Sequence, residues 1–361
     1  MGMSEIRQKL RSGMMRAAVY RGPSQISVEQ IPIPEISDGE ILVRVQACGI
    51  CGTDLKKIEY GLVPPPRVFG HEMAGVVARV GAGVTKFSVG DRVVAHHHSP
   101  CGKCFYCEKK LFSQCEFYRR TGTTAGFEPS GGGFAEFVRV MDWIVESGTV
   151  LIPDHISYEE ASFLEPLNTC VKALETAELQ PGETAAIYGQ GPVGLMLTQA
   201  AAIAGARVAG LDFLDTRLGI ALELGASAVF NPQKEDAADG IAKLTQGYGA
   251  DLTIVATANP AAVSEAQRVT RRGGRVMLFA QTVPGEKIPV DVAAICMEEK
   301  KLIGSYSASV ELQDKTAKLV FSGKVNVARL ISHRLGLESL LDGIRLASNP
   351  SADSLKVVIL P

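Results

Sequence analysis

The sequence predicts an α/β protein built from two unlike parts, one β-rich and one a doubly wound parallel sheet. Three observations carry this. From about Arg16 to Leu151 the chain is a series of short apolar or alternating runs punctuated by Gly and Pro. From about Tyr158 to Ile303 strand-like runs alternate with helical ones, the rhythm of a parallel sheet wrapped by helices. Between one such strand and the next helix stands the turn Gly189-Gln190-Gly191-Pro192-Val193-Gly194.

The β-rich part reads as RAAVY, EILVRVQAC, GVVARVGAG, DRVVAH and FAEFVRV, each short enough for a strand. The leader before Met15, MGMSEIRQKLRSGMM, is charged and lacks the apolar run of a signal peptide, so a flexible tail or an upstream start is expected. The break IPDHIS ends this part near Ile152–Pro153. TAAIYG, RVAGLD, LTIVAT and RVMLFA then alternate with helices such as VGLMLTQAAAIAG and RLGIALELG. The last part, from about Ser305, holds helical stretches and closes on the strand LKVVIL. The expected organisation is 15–157, 158–305 and 306–361.

At 361 residues, 46% of them hydrophobic, the chain can bury large cores without disulfides. A net charge of −2 gives no electrostatic case for nucleic acid or an anionic membrane. The most apolar window, Val193–Gly210, includes Gln199 and Arg207 and reads as a buried helix running into a buried strand. Half of the eight cysteines sit in one lobe, which fits a reducing compartment and a cytoplasmic location.

That lobe, at about 96–120, carries Cys101, Cys104, Cys107 and Cys115 in a C-x2-C-x2-C-x7-C spacing. Four thiolates close a tetrahedral zinc shell and leave no position for substrate, so the expected site is structural. An iron–sulfur cluster is the rival for such short steps. Any catalytic metal must then be held elsewhere.

The glycine turn follows the strand TAAIY, opens a helix, and is followed eighteen residues after Gly194 by Asp212, at the end of the next strand. This is the context in which Gly189, Gly191, Pro192, Val193 and Gly194 bring backbone up to a pyrophosphate at a helix N-terminus. Asp212 can accept both ribose hydroxyls and would repel a 2′-phosphate, which favours NAD over NADP. Arg217 can flank the adenine, or compensate a 2′-phosphate if the acid turns away.

Upstream, CGICGTDLKK and FGHEMAG offer Cys51, His71 and Glu72: thiolate, imidazole and carboxylate, the ligand types of an open catalytic zinc. Each also has a plain reading, a core thiol or a satisfied histidine. Glu165, in FLEPLN, lies at the junction of the two expected domains, where a cleft would form.

With ACGICGTD, GHEMAGVV, the four-cysteine lobe, GGFAEF, FLEPL, GQGPVG and KVVIL in this order, the chain resembles the zinc-dependent medium-chain dehydrogenases, the alcohol, polyol and threonine dehydrogenase superfamily. The glutamate of FLEPL resembles the sorbitol dehydrogenase-like branch. The resemblance implies a GroES-like β-rich catalytic domain with an inserted Rossmann domain. It also implies a catalytic zinc at Cys51, His71 and Glu72, with Glu165 bound directly or through water, beside the structural zinc. Activity would be hydride transfer from a secondary hydroxyl of a polyol, sugar or cyclitol to NAD, with Thr53 passing the alcohol proton outward. Asp54 would steady a ligand or simply make an Asx turn. L-threonine 3-dehydrogenase, a general alcohol dehydrogenase and a non-catalytic nucleotide-binding relative are the alternatives. A homotetramer or dimer is implied, with KLIGSYSAS supplying an interface strand.

Where many relatives continue a proton relay with histidine, this chain has Lys56, followed by Lys57. Lys56 could end the relay, attract an anionic substrate such as a sugar phosphate, or lie solvated on a loop. His96, His97 and His98, read as part of a strand, would face alternate sides, placing one near the cleft at most. Tyr118, Arg119 and Arg120 could reach substrate or cap the loop. Cys170 and Cys296 read as buried small side chains.

Overall fold

Strands buried along their whole length mark the middle of the chain as a parallel sheet covered on both faces. Thr184–Tyr188 is buried at every position. It lies between Arg207–Leu211 and Ala250–Val255 in a six-stranded sheet whose edges are Ala228–Phe230 and Lys301–Gly304, with Thr270–Leu278 inside the latter. All five pairings are parallel. Numbered from Thr184, the order is 3-2-1-4-5-6, the doubly wound arrangement whose switch point lies between strands 1 and 4. The apolar window forms the helix Pro192–Ile203 and the strand Arg207–Leu211. Among the described residues no helix is long and apolar enough to cross a membrane.

The computed structural model describes residues 3–97, 99–121, 131–282, 285–349, 351 and 353–361. They divide into two compact units. Unit 1 gathers Met1–Glu165, Ser309–Gly323 and Val327–Pro361, and unit 2 Pro166–Ala308 and Lys324–Asn326.

Unit 1 is built on a seven-stranded sheet. Ile331–Gly336, Lys356–Leu360, Ile41–Gly49, Glu72–Val80, Arg92–Ala95 and Thr149–Leu151 follow one another, and Phe137–Val140 also pairs with Ile41–Gly49. A three-stranded sheet joins Gln25–Pro32, Met14–Gly22 and Arg67–Val68. Val43, Val45, Met73, Val77, Phe134 and Ile359 fill the main core.

The leader is not a flexible tail. Met3–Ser12 is a helix whose Ile6 is 1% exposed, packed among Met15, Val19, Ile33 and Phe137. Lys9 Nζ lies 2.9 Å from Glu136 Oε2, and the Arg16 amide donates to the same oxygen at 2.8 Å. Burial pushes the Glu136 carboxyl up, but the Arg16 amide and Lys9 outweigh it and hold the pKa below the usual carboxylate range. The leader is docked because one face of it is apolar and a buried carboxylate waits for its lysine, neither of which the absence of a signal peptide reveals.

Candidate active site

Cys51 stands just before the helix Gly52–Tyr60, and the third residue of that helix, Asp54, reaches back so that its Oδ2 accepts the Cys51 amide at 3.1 Å. The other oxygen, Oδ1, is 3.2 Å from His71 Nδ1. Asp54 therefore closes a capping box at the helix start, not an Asx turn, and also steadies a neighbouring ring. A proton on Nδ1 shared with Asp54 leaves Nε2 as the imidazole's lone-pair nitrogen. Burial works against a charged His71, yet the Asp54 carboxylate and the Cys51 thiolate outweigh it and raise the pKa well above its ordinary value.

Glu72 opens the strand Glu72–Val80 and is 1% exposed. Gly49 is its register partner on one side and that of Val358 on the other. Lys356 lies two residues before Val358, on the same face of its strand, and its ammonium forms a buried ion pair with Glu72. Gly49 makes this possible: a Cβ there would stand 2.1 Å from Glu72 Oε2 and 2.7 Å from Lys356 Cε. Burial lowers the Lys356 pKa, but Glu72 and Cys51 more than reverse it, so the lysine stays charged. Potential ligand atoms of Cys51, His71 and Glu72 lie within 4.8 Å of one another.

Beside this group is a second one. The strand Arg92–Ala95 stops before His96, so the histidines escape the alternation of an extended strand and two of them turn to one side. His96 and His97, each 1% exposed, share a cluster with Glu165 in which ligand atoms again lie within 4.8 Å. His97 Nδ1 is 3.6 Å from Glu165 Oε1, and the His71 and His97 rings are 5.0 Å apart. Burial pushes Glu165 up to about 7, His71 opposing and Glu72 adding to the rise. Burial, helped by His71, brings His96 down to about 4. His98 and the side chains of Arg119 and Arg120 lie outside the described residues, and Tyr118 is buried. Thr53 and Lys56 are half-buried on the helix Gly52–Tyr60.

In the lobe the four sulfurs of Cys101, Cys104, Cys107 and Cys115 come within 4.8 Å of one another. The Cys101 amide donates to Cys115 Sγ at 3.3 Å. Backbone amides of Glu116 and Cys107 bring the Cys104 thiol down to about 6, while burial pushes Cys107 up to about 12. Cys170 is buried as expected, but Cys296 is exposed, because its short helix Val292–Met297 buries none of its residues.

In unit 2 the glycine turn leaves strand 1. Gly189 has φ +91°, and a Cβ at Gly194 would meet the Gly189 carbonyl oxygen at 1.7 Å, so both positions require glycine. The Asp212 carboxylate faces this turn: Oδ2 accepts the Gln190 amide at 2.7 Å and Oδ1 the Leu214 amide at 2.9 Å. Arg217 Nη1 is 3.9 Å from Asp212 Oδ2.

Two family models match: the alcohol dehydrogenase GroES-like domain over residues 37–153 and the zinc-binding dehydrogenase domain over 192–322. Sorbitol dehydrogenase of Bacillus subtilis is 34% identical over 96% of this chain and 97% of its own. The chain belongs to the zinc-dependent medium-chain dehydrogenases. D-arabitol-phosphate dehydrogenase of Enterococcus avium is another similar member, 34% identical over 88% of this chain and 89% of its own. A zinc-binding dehydrogenase structure from Sinorhizobium meliloti, bound to NADP, matches with TM-score 0.87 and 31% identity over 96% of this chain and 99% of that one. This dehydrogenase thus has the GroES-like and Rossmann-like parts of its superfamily, and it is an enzyme using zinc and a nicotinamide cofactor.

The donor atoms fit that chemistry. A thiol, an imidazole and a carboxylate, all part or wholly buried and gathered at one place, form the donor set of an open zinc site. Sequence reasoning missed Lys356 in this medium-chain dehydrogenase. The available signal was a lysine heading an otherwise apolar terminal strand, KVVIL, which is buried at all but its last position.

Proposed function

We propose that the enzyme oxidises a secondary hydroxyl of a polyol, sugar or cyclitol to the ketone, with NAD as hydride acceptor. The observation that carries this is the buried convergence of Cys51, His71 and Glu72, with Glu165 nearby, in a chain similar to dehydrogenases of sorbitol and arabitol phosphate. Cys51, His71 and Glu72 would hold a catalytic zinc, with Glu165 as a further ligand or partner to a water. A second zinc would sit at Cys101, Cys104, Cys107 and Cys115. When bound, the catalytic ion supplies Lewis-acid acidification of the substrate hydroxyl.

The chain's own residues do the rest. Asp54 holds the His71 ring in the tautomer that leaves Nε2 free, and Lys356 holds Glu72 in place through their ion pair. Thr53 Oγ1 takes the substrate proton and hands it outward. Gly189, Gly191, Pro192, Val193 and Gly194 offer backbone to the pyrophosphate. Asp212, fixed by two amides, is poised for ribose hydroxyls, which supports NAD over NADP, and Arg217 flanks the adenine. The catalytic domain is placed at 15–157 with the return at 306–361, and the nucleotide-binding domain at 158–305. The edge strand Lys301–Gly304 is the proposed seam of a homo-oligomer, and the eight free cysteines fit a reducing, cytoplasmic setting.

The test is NADH formation against polyols, sugars, cyclitols, threonine and simple alcohols, each sugar and polyol paired with its phosphate ester, on zinc-replete enzyme. A polyol, sugar or cyclitol as best substrate upholds the proposal, and preference for the ester assigns Lys56 to the phosphate. Best turnover of threonine or a simple alcohol overturns the substrate class, and a higher kcat/KM with NADP overturns the cofactor assignment.

A further inference from the structure

We propose that His96, His97 and Glu165 form a second divalent-metal site beside Cys51, His71 and Glu72, able to hold its own zinc-like ion. The three residues are each 5% exposed or less, so no solvent-facing acidic cluster is involved. Their ligand atoms lie within 4.8 Å of one another, as do those of the neighbouring group. The edge of a zinc tetrahedron with bonds of 2.0–2.1 Å is roughly 3.3 Å. His97 Nδ1 and Glu165 Oε1, at 3.6 Å, are already close to that separation. His96 completes the trio, its ring stacked on His97 with centroids 5.5 Å apart.

Two imidazoles and a carboxylate suit zinc, cobalt(II) or nickel rather than magnesium or calcium, and they leave a fourth position open to water or a substrate oxygen. Glu165 then serves His96 and His97, which decides against its being a direct ligand of the first ion, and Glu72 completes that site. The proposal rests on the catalytic reading only in assuming that the first site is also filled.

The experiment is equilibrium dialysis of the full-length protein against buffered zinc, with metal counted per chain, for wild type, His97→Phe, His96→Gln and Cys51→Ser. The expected result is a third ion in the wild type that is lost in both histidine variants. In cobalt(II)-loaded protein that third equivalent adds d–d absorption without thiolate charge transfer. Melting curves establish that each variant is folded, and His96→Gln carries the test if His97→Phe is not. A wild type in which neither histidine change lowers the count overturns the proposal. Loss of an ion in the histidine variants but not in Cys51→Ser upholds it and removes the catalytic-zinc reading instead.

Discussion

The Glu72–Lys356 pair is the residue on which the neighbourhood of Cys51 turns, because both partners are buried and a single glycine leaves room for them. Breaking a buried pair by removing one member typically costs about 3–5 kcal/mol. Lys356→Met is therefore expected to destabilise the metal-free protein by that order. Zinc-replete protein should lose less, since an ion at Glu72 replaces the missing positive charge. Denaturant melts with and without zinc check this, and equal losses in both states would separate Glu72 from the metal. A second lysine gives a pH signature in unit 2. Burial brings Lys172 down to about 8, and its ammonium donates to the Tyr306 carbonyl at 2.7 Å. The unfolded chain then holds more protons than the folded one between about pH 8 and the ordinary lysine value near 10.5, so this group makes stability rise with pH across that window. Lys172→Met should flatten that rise in melts taken from pH 8 to 10.5, and an unaltered slope would assign it to another group.

At the level of elements, the cysteine lobe and the leader helix should act on stability ahead of turnover. Metal at sites of this type contributes about 10–16 kcal/mol in model peptides. Cys104→Ser is accordingly expected to lower the melting temperature before it lowers kcat. Lost turnover with melting intact would overturn the structural assignment. Ile6→Ala should cost about 2–5 kcal/mol by emptying a buried site, and a change within error would mean that the helix does not hold its place in solution. The sequence announces some of these elements and hides others. TAAIY, RVAGL and KVVIL are visible as unbroken apolar runs because both faces of their sheets are covered. Ala228–Phe230 is only three residues long. Gln25–Pro32 exposes most of one face and so reads as polar text. Ile331–Gly336 carries Ser, His and Arg in a strand never deeply buried. The histidine run failed differently: alternation was assumed past Ala95, where the strand has already ended.

Across the whole molecule, the residues proposed to bear chemistry are legible when local spacing suffices and hidden when tertiary pairing decides. The lobe cysteines and the glycine turn announce themselves within fifteen residues or fewer, and Cys51, His71 and Glu72 by their types and setting. That Glu165 keeps company with His97, or that Lys356 answers Glu72, depends on which strands become neighbours, and nothing in the local text states it. Glu72 and its counter-ion are separated by all of unit 2, and Lys356 opens the last strand of the chain. During synthesis, therefore, the first 165 residues and the whole of unit 2 are made before the lysine that pairs with Glu72. A chain stopped ahead of Lys356 would lack both the cation of the Glu72 pair and the strand that lies beside Gly49, so the surroundings of Cys51 are completed by some of the latest residues to be made.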